Sequence, residues 1–216
     1  MFLNYKTNET ANLCHPKIIR PCHLQNYKCI REYLADNSRC QIPVRRAMSP
    51  FYKVDVFRFD APYFNASYVE RDLLVIGQDR CFVSEFCWNE AGNYGVLGID
   101  CPWLTFESNR TLYQHWPLKA DSVYSYSFEG TYPLIRLTTT LGNAYGIDFC
   151  RAFTFAYVAQ IPYQRIIPLD KPTATFLSRD GNEMVTNIYE RETFYWRASM
   201  LARRFVNKVL CDFGCY

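Results

Sequence analysis

Three features of the chain predict an α+β fold in which one long C-terminal helix lies against a long, curved antiparallel sheet. Residues 145–157 place a large apolar side chain at almost every second position: Tyr145, Ile147, Phe149, Phe153, Phe155 and Tyr157, with Arg151 as the exception. Successive strand side chains point to opposite faces, so this period of two gathers the aromatic residues on one face. Strand-like alternation also fills the stretch from Phe51 onward. Residues 182–211 contain neither Pro nor Gly, and there Phe194, Ala198, Leu201, Phe205 and Val209 recur at helical spacing.

Residues 1–20 are polar and read as an N-terminal extension, with a single domain from residue 21 to 216. Cys22 to Cys40 reads as a cysteine-tied turn entering a short helix over residues 27–35, followed by Ile42-Pro43. Tyr52, Val54 and Val56 alternate with Phe51, Phe57 and Phe59. Leu73-Leu74-Val75-Ile76 ends at Gly77, and Tyr124, Tyr126 and Phe128 precede Gly130. Residues 134–140 lead through the turn signal Leu141-Gly142-Asn143 into the aromatic strand. At 3.4 Å per residue, residues 145–157 would run roughly 44 Å as one strand. Residues 182–211 would form a helix of ~45 Å. Arg191, Arg197, Arg203, Arg204 and Lys208 are expected on the helix faces outside the apolar stripe. Sheet and helix of matching length would bury their apolar faces together.

The chain has 216 residues, enough for a sizeable core, and a net charge of +3 without a Lys/Arg run longer than two. A nucleic-acid partner, which needs a concentrated basic patch, is not expected. Neither is stable membrane insertion, since no apolar run is long enough to cross a bilayer. Ten cysteines point to disulfides and an oxidising, extracellular setting. The alternative, a metal site, lacks CxxC pairs, and the only histidines are His15, His23 and His115. The sequons at Asn8, Asn65 and Asn109 are consistent with a secreted glycoprotein, although the first six residues lack the apolar core of a signal peptide. No Gly-x-Ser-x-Gly, P-loop, Gly-x-Gly-x-x-Gly or His-Glu-x-x-His occurs, so neither an enzyme nor a cofactor is expected. His115, in Tyr113-Gln114-His115-Trp116-Pro117, reads as a loop or strand-end histidine.

The order of Pro21-Cys22, Cys29-Ile30, Ile42-Pro43 and Ser49-Pro50 resembles the N-terminal signature of the insect juvenile hormone-binding and takeout-like proteins. The run Leu73 to Gly77, the segment Gly130 with Tyr132-Pro133-Leu134-Ile135, and Gly181-Asn182-Glu183-Met184 are similar to later landmarks of that family. Gln41 and Ser49 depart from its Gly-Ile-Pro and Asp-Pro, and the cysteines exceed its usual number. The resemblance implies a long helix wrapped by a strongly curved antiparallel sheet, enclosing an apolar tunnel or pocket. It implies a secreted carrier of small hydrophobic ligands, terpenoid hormone-like or fatty-acid-like, and leaves room for a protein receptor. The alternative is a disulfide-rich secreted protein-interaction module on the same fold with no ligand cavity.

Under the carrier reading, Phe149, Phe153, Phe155 and Tyr157 wall the cavity from the strand, and Phe194, Leu201 and Phe205 from the helix. Tyr33 and Phe51 are gate residues near the N-terminal end. For any single one of the strand residues ordinary core packing is the favoured reading, and the carrier reading rests on them collectively. Arg151 cannot be buried unpaired at low cost. It either bridges to a helix carboxylate or anchors a ligand carboxylate through its bidentate fork. Short spacing and the resemblance together pair Cys22 with Cys29. Cys81, Cys87 and Cys101 can pair among neighbouring strands, and Cys211 and Cys215 can pair locally or tie down the helix end.

Overall fold

A long, strongly bent antiparallel sheet wraps one face of the C-terminal helix. The structure is a computed structural model and describes residues 18–89, 91–142, 147–181, 185 and 190–215. Asn8, Cys14, Tyr145 and the segment Asn182-Glu183-Met184 lie outside the described residues. Helix α1 (Tyr27–Asn37) starts at Asn26, whose side chain accepts from the Cys29 amide at 3.1 Å. This satisfies one of the free donors of the first turn. α1 buries Ile30 and Leu34, one turn apart.

The short strand β1 (Ile42–Pro43) follows, then β2 (Phe51–Ala61), β3 (Ala66–Ile76) and β4 (Phe82–Asn89). The two long strands are β5 (Tyr94–Gln114) and β6 (Ser122–Gly142), each 21 residues and paired along almost their whole length. The main sheet runs β2-β3-β5-β6 and then β7 (Phe153–Val158). β4 pairs with the first part of β5, and β8 (Tyr163–Pro168) with the first part of β6. At Trp103, which has a left-handed φ of 53°, the inward positions of β5 change from Leu97, Ile99 and Cys101 to Leu104 and Phe106. Opposite it, β6 changes face around Pro133, from Tyr126, Phe128 and Tyr132 to Ile135 and Leu137. A second irregularity sits at Asp72, also left-handed (φ 54°), where the β3–β5 register shifts. Such breaks bend a sheet and increase its twist.

The expected strand over residues 145–157 is corrected. Ile147 makes a single bridge to Ser38, and Phe149–Arg151 forms a 3-10 turn. Asp148 causes the break, because its side chain accepts from the Cys150 amide at 3.1 Å and closes a local turn. The alternating strand begins at Phe153 and, after an interruption at residues 159–162, continues as β8 along the same side of β6. Of the expected helix over residues 182–211, residues 182–184 and 186–189 lie outside the described residues, and the described part is not uniform. After α2 (Lys171–Phe176), capped by Asp170, the backbone kinks at Arg179, and α3 spans Glu190–Phe205, followed by a wider turn over Val206–Leu210. β9 (Cys211–Asp212) pairs with β1.

Phe194, Ala198, Leu201 and Phe205 are buried as the helical stripe requires, while Val209 yields the innermost place to Leu210. Two apolar clusters result. The larger packs α1 and α3 against β4, β5 and β6. The smaller gathers Phe59, Tyr68, Leu112, Tyr126 and Phe128, with Phe176 and Leu177 packed against it. Disulfides are built into the larger cluster and its margin. Cys22–Cys29 closes the turn before α1, Cys81–Cys101 links the start of β4 to β5, and Cys40–Cys211 and Cys150–Cys215 tie down the helix end. Cys87 is also disulfide-bonded.

Candidate functional site

An apolar groove of about 780 Å³ lies between β2, β7 and α3, lined by Tyr52, Val54, Phe57, Phe153, Trp196 and Met200 among others. Helical periodicity explains why α3 can serve two surfaces. Residues 194, 198, 201 and 205 turn inward, and Tyr195, Trp196, Ser199, Met200, Arg203 and Arg204 form the opposite stripe that lines the groove. Arg203 donates from Nη2 to the Cys150 carbonyl at 2.7 Å, and the Arg204 guanidinium lies 3.8 Å over the Tyr52 ring. Neither arginine meets a carboxylate among the described residues, and the buried Nε of each is without a hydrogen-bond acceptor there. Burial pushes the Tyr52 hydroxyl up to about 12, against the opposing pull of Arg204 and then Arg197.

Beside the groove runs a row of exposed aromatic side chains. Phe153, Phe155 and Tyr157 are 49%, 53% and 57% exposed. They sit across from Thr140, Thr138 and Arg136, whereas Thr154 and Ala156 of the same strand pair with the inward residues Thr139 and Leu137. Tyr163, at 68%, and Ile167 extend the row along β8. Tyr195 links it to α3, its ring 5.4 Å from that of Phe153.

The inner face holds a different chemistry. Glu70 of β3, Arg110 of β5, and Glu190 and Arg197 of α3 form a closed ring of ion pairs with almost no solvent exposure. Tyr132 donates to Glu190 at 2.6 Å, and the Arg110 guanidinium stacks 3.5 Å from the Phe128 ring centre. Burial raises the Glu70 carboxyl, but Arg110 and Arg197 outweigh it and hold the group below the usual range. Burial and then Glu190 push Tyr132 well up. Arg197, expected on an outer helix face, is thus corrected to the core. Strand parity was the available signal. Glu70 follows Ala66 and Tyr68 on one face, and Arg110 falls between Phe106 and Leu112.

At one end of the sheet a polar chain joins two hairpins. His115 lies 2.8 Å from Ser67 Oγ through Nε2 and 2.9 Å from Asp121 through Nδ1. Ser67 also donates to Asp60 at 2.8 Å. The order Ser-His-Asp matches that of a hydrolase triad, but the single hydroxyl proton of Ser67 is directed to a second carboxylate. Among the described residues no group of His, Cys, Asp and Glu converges as a metal site.

The sequence-derived candidates scatter. Phe149, Phe194, Leu201 and Phe205 are core, with Phe194 edge-on to Phe106 and Tyr132. Phe153, Phe155 and Tyr157 face outward, which corrects their expected inward orientation. Arg151 is not on that aromatic face at all. Its side chain is 84% exposed and lies 3.5 Å from Asp148, so among the described residues its ion-pair partner is in the preceding turn rather than on a helix, and it does not reach into the interior. Tyr33 is half-buried, edge-on to Phe86, and Phe51 is exposed. Asn65 and Asn109 are exposed, Asn109 on the outer side of β5.

The Fibroin P25 family matches residues 18–215 of the chain. Fibrohexamerin of Galleria mellonella is 48% identical over 210 residues, covering 95% of each chain. The crystal structure of Takeout 1 from Epiphyas postvittana superposes with a TM-score of 0.48 at 12% identity, over 89% of this chain and 97% of that one. The sequence comparisons thus name Fibroin P25 where the N-terminal signature suggested juvenile hormone-binding and takeout-like proteins.

Proposed function

Because the chain belongs to the Fibroin P25 family, we propose that it is a secreted, disulfide-braced interaction module that attaches to a fibroin-type protein chain through its exposed aromatic face. One observation carries this reading. Phe153, Phe155 and Tyr157 of β7, with Tyr163 and Ile167 of β8 beyond them, leave large apolar side chains substantially exposed along one side of β6. Soluble monomers seldom leave large apolar patches open, and aromatic residues are enriched at protein interfaces. The names of the family and of its Galleria relative, Fibroin P25 and fibrohexamerin, supply the partner class. Secretion is supported by the disulfides, which persist in oxidising compartments.

Surface plasmon resonance with purified fibroin chains of the same species tests the reading. Binding is expected, and Phe155→Ser with Tyr157→Ser should weaken it about tenfold or more, as expected where such aromatic anchors carry binding energy. Both side chains are exposed, so the variant should fold. Failure of the wild-type protein to bind, or equal binding by the variant, would overturn the proposal.

A small hydrophobic ligand remains the second reading, supported by the apolar groove. An apolar ligand lying along the inner face would instead have to displace the Glu70–Arg110–Glu190–Arg197 ring, which is costly to desolvate unpaired. Native mass spectrometry of the secreted protein checks this, and a co-purifying terpenoid or fatty acid would favour it. Catalysis is not part of the proposal. Asp60 beside Ser67 opposes the negative charge that a nucleophilic alkoxide would develop, so a fluorophosphonate probe should leave Ser67 unlabelled.

A further inference from the structure

The outward stripe of α3 carries cations that the interior does not use. Arg203 and Arg204 stand one turn beyond Ser199 and Met200 in the groove wall, beside the apolar side chains of Val54, Phe57, Phe153 and Trp196. Lys53, on the same rim, is satisfied by Asp72 at 2.6 Å. The two arginines have no such partner among the described residues, and a buried guanidinium nitrogen without an acceptor is costly. The groove thus sets two guanidinium groups that lack a carboxylate partner among the described residues next to apolar surface.

We propose that the groove seats an extended segment of the partner polypeptide in which bulky apolar side chains adjoin Asp or Glu, the carboxylates meeting Arg203 and Arg204. This rests on the protein-partner reading above and assigns it a second contact. Charge complementarity selects the acid, since arginine forks match carboxylates bidentately. The strand positions favour an extended segment. β2 and β7 are the two ends of the main sheet path, each with a single paired side among the described residues. Such edges offer backbone donors and acceptors to an added strand. Continuity supports a common partner, because Phe153 belongs both to the groove lining and to the exposed aromatic row.

Overlapping synthetic peptides covering the fibroin chains of the same species, read by fluorescence anisotropy against the full chain, test the proposal. Peptides that bind should carry Asp or Glu beside aromatic or aliphatic residues, and should weaken when these acids become Asn or Gln. Arg203→Gln with Arg204→Gln should weaken them roughly tenfold or more, and rising salt should weaken the wild-type complex. Met200→Glu, which places a like charge in the groove, gives the same loss without touching the Arg203–Cys150 contact, so it decides the matter if the arginine variant unfolds. Binding peptides without carboxylates, or affinities unchanged by Met200→Glu, overturn the proposal. So does sodium palmitate binding one-to-one by native mass spectrometry, blocked by the same substitution, when no peptide binds. Fibroin binding that depends on Phe155 and Tyr157 but not on the groove would remove this inference and leave the partner reading standing. Loss of all fibroin binding would remove both.

Discussion

Arg110 and Arg197 are fully buried guanidiniums, and each meets both Glu70 and Glu190. Two positive and two negative groups leave the ring formally neutral, which is why it can exist in the core. Removing one member leaves an uncompensated charge. Glu190→Gln should therefore destabilise the fold by about 3–5 kcal/mol, measured by urea unfolding, and a loss below about 1 kcal/mol would contradict the role assigned to the ring. Replacing all four members by apolar residues of similar volume should be close to neutral or stabilising. Arg151 shows the opposite case. It is exposed beside Asp148, and Arg151→Met should change stability by less than about 0.5 kcal/mol, as surface pairs do.

Elements are held by their ends as well as by their faces. α3 buries one stripe and leaves the other to the groove, and its C-terminal end is fastened twice, by Cys40–Cys211 and Cys150–Cys215. These bridges close 171- and 65-residue separations, against 7 for Cys22–Cys29. In the chain-entropy picture longer loops gain more, with typical bridges worth roughly 2–4 kcal/mol. Cys40→Ala with Cys211→Ala should lower the melting temperature more than Cys22→Ala with Cys29→Ala, and calorimetry of the two variants checks the order. Much of this scale was legible in the chain. The α3 stripe and the N-terminal helix stand where periodicity and the cysteine module place them. The strand at residues 145–157 does not, because Asp148 offers the Cys150 amide a local bond that competes with ladder pairing.

For the whole molecule, the ring of charges lies where the strands and α3 meet between the two apolar clusters, so its protonation is linked to global unfolding. The folded-state pKa of Glu70 is held below its unfolded value, which is about 4.3 for Glu. Its contribution to stability is thus complete above that unfolded value and is lost as pH falls through the folded pKa. Melting temperature should hold from neutral pH to near pH 4 and fall below it. A variant with the ring replaced by apolar residues should show a shallower acid decline, and an identical decline in both proteins would show that other groups govern it. By itself the sequence determined the α+β class, the antiparallel strands, the apolar stripe of the last helix and the disulfide-rich character, because period, composition and turn chemistry are local properties. It also showed that residues 153–157 present aromatic side chains to a single face. Only the tertiary structure decided that this face points outward, since alternation defines two faces without saying which one meets the core. The same holds for Glu70, Arg110, Glu190 and Arg197, whose burial depends on partners up to 127 residues away along the chain.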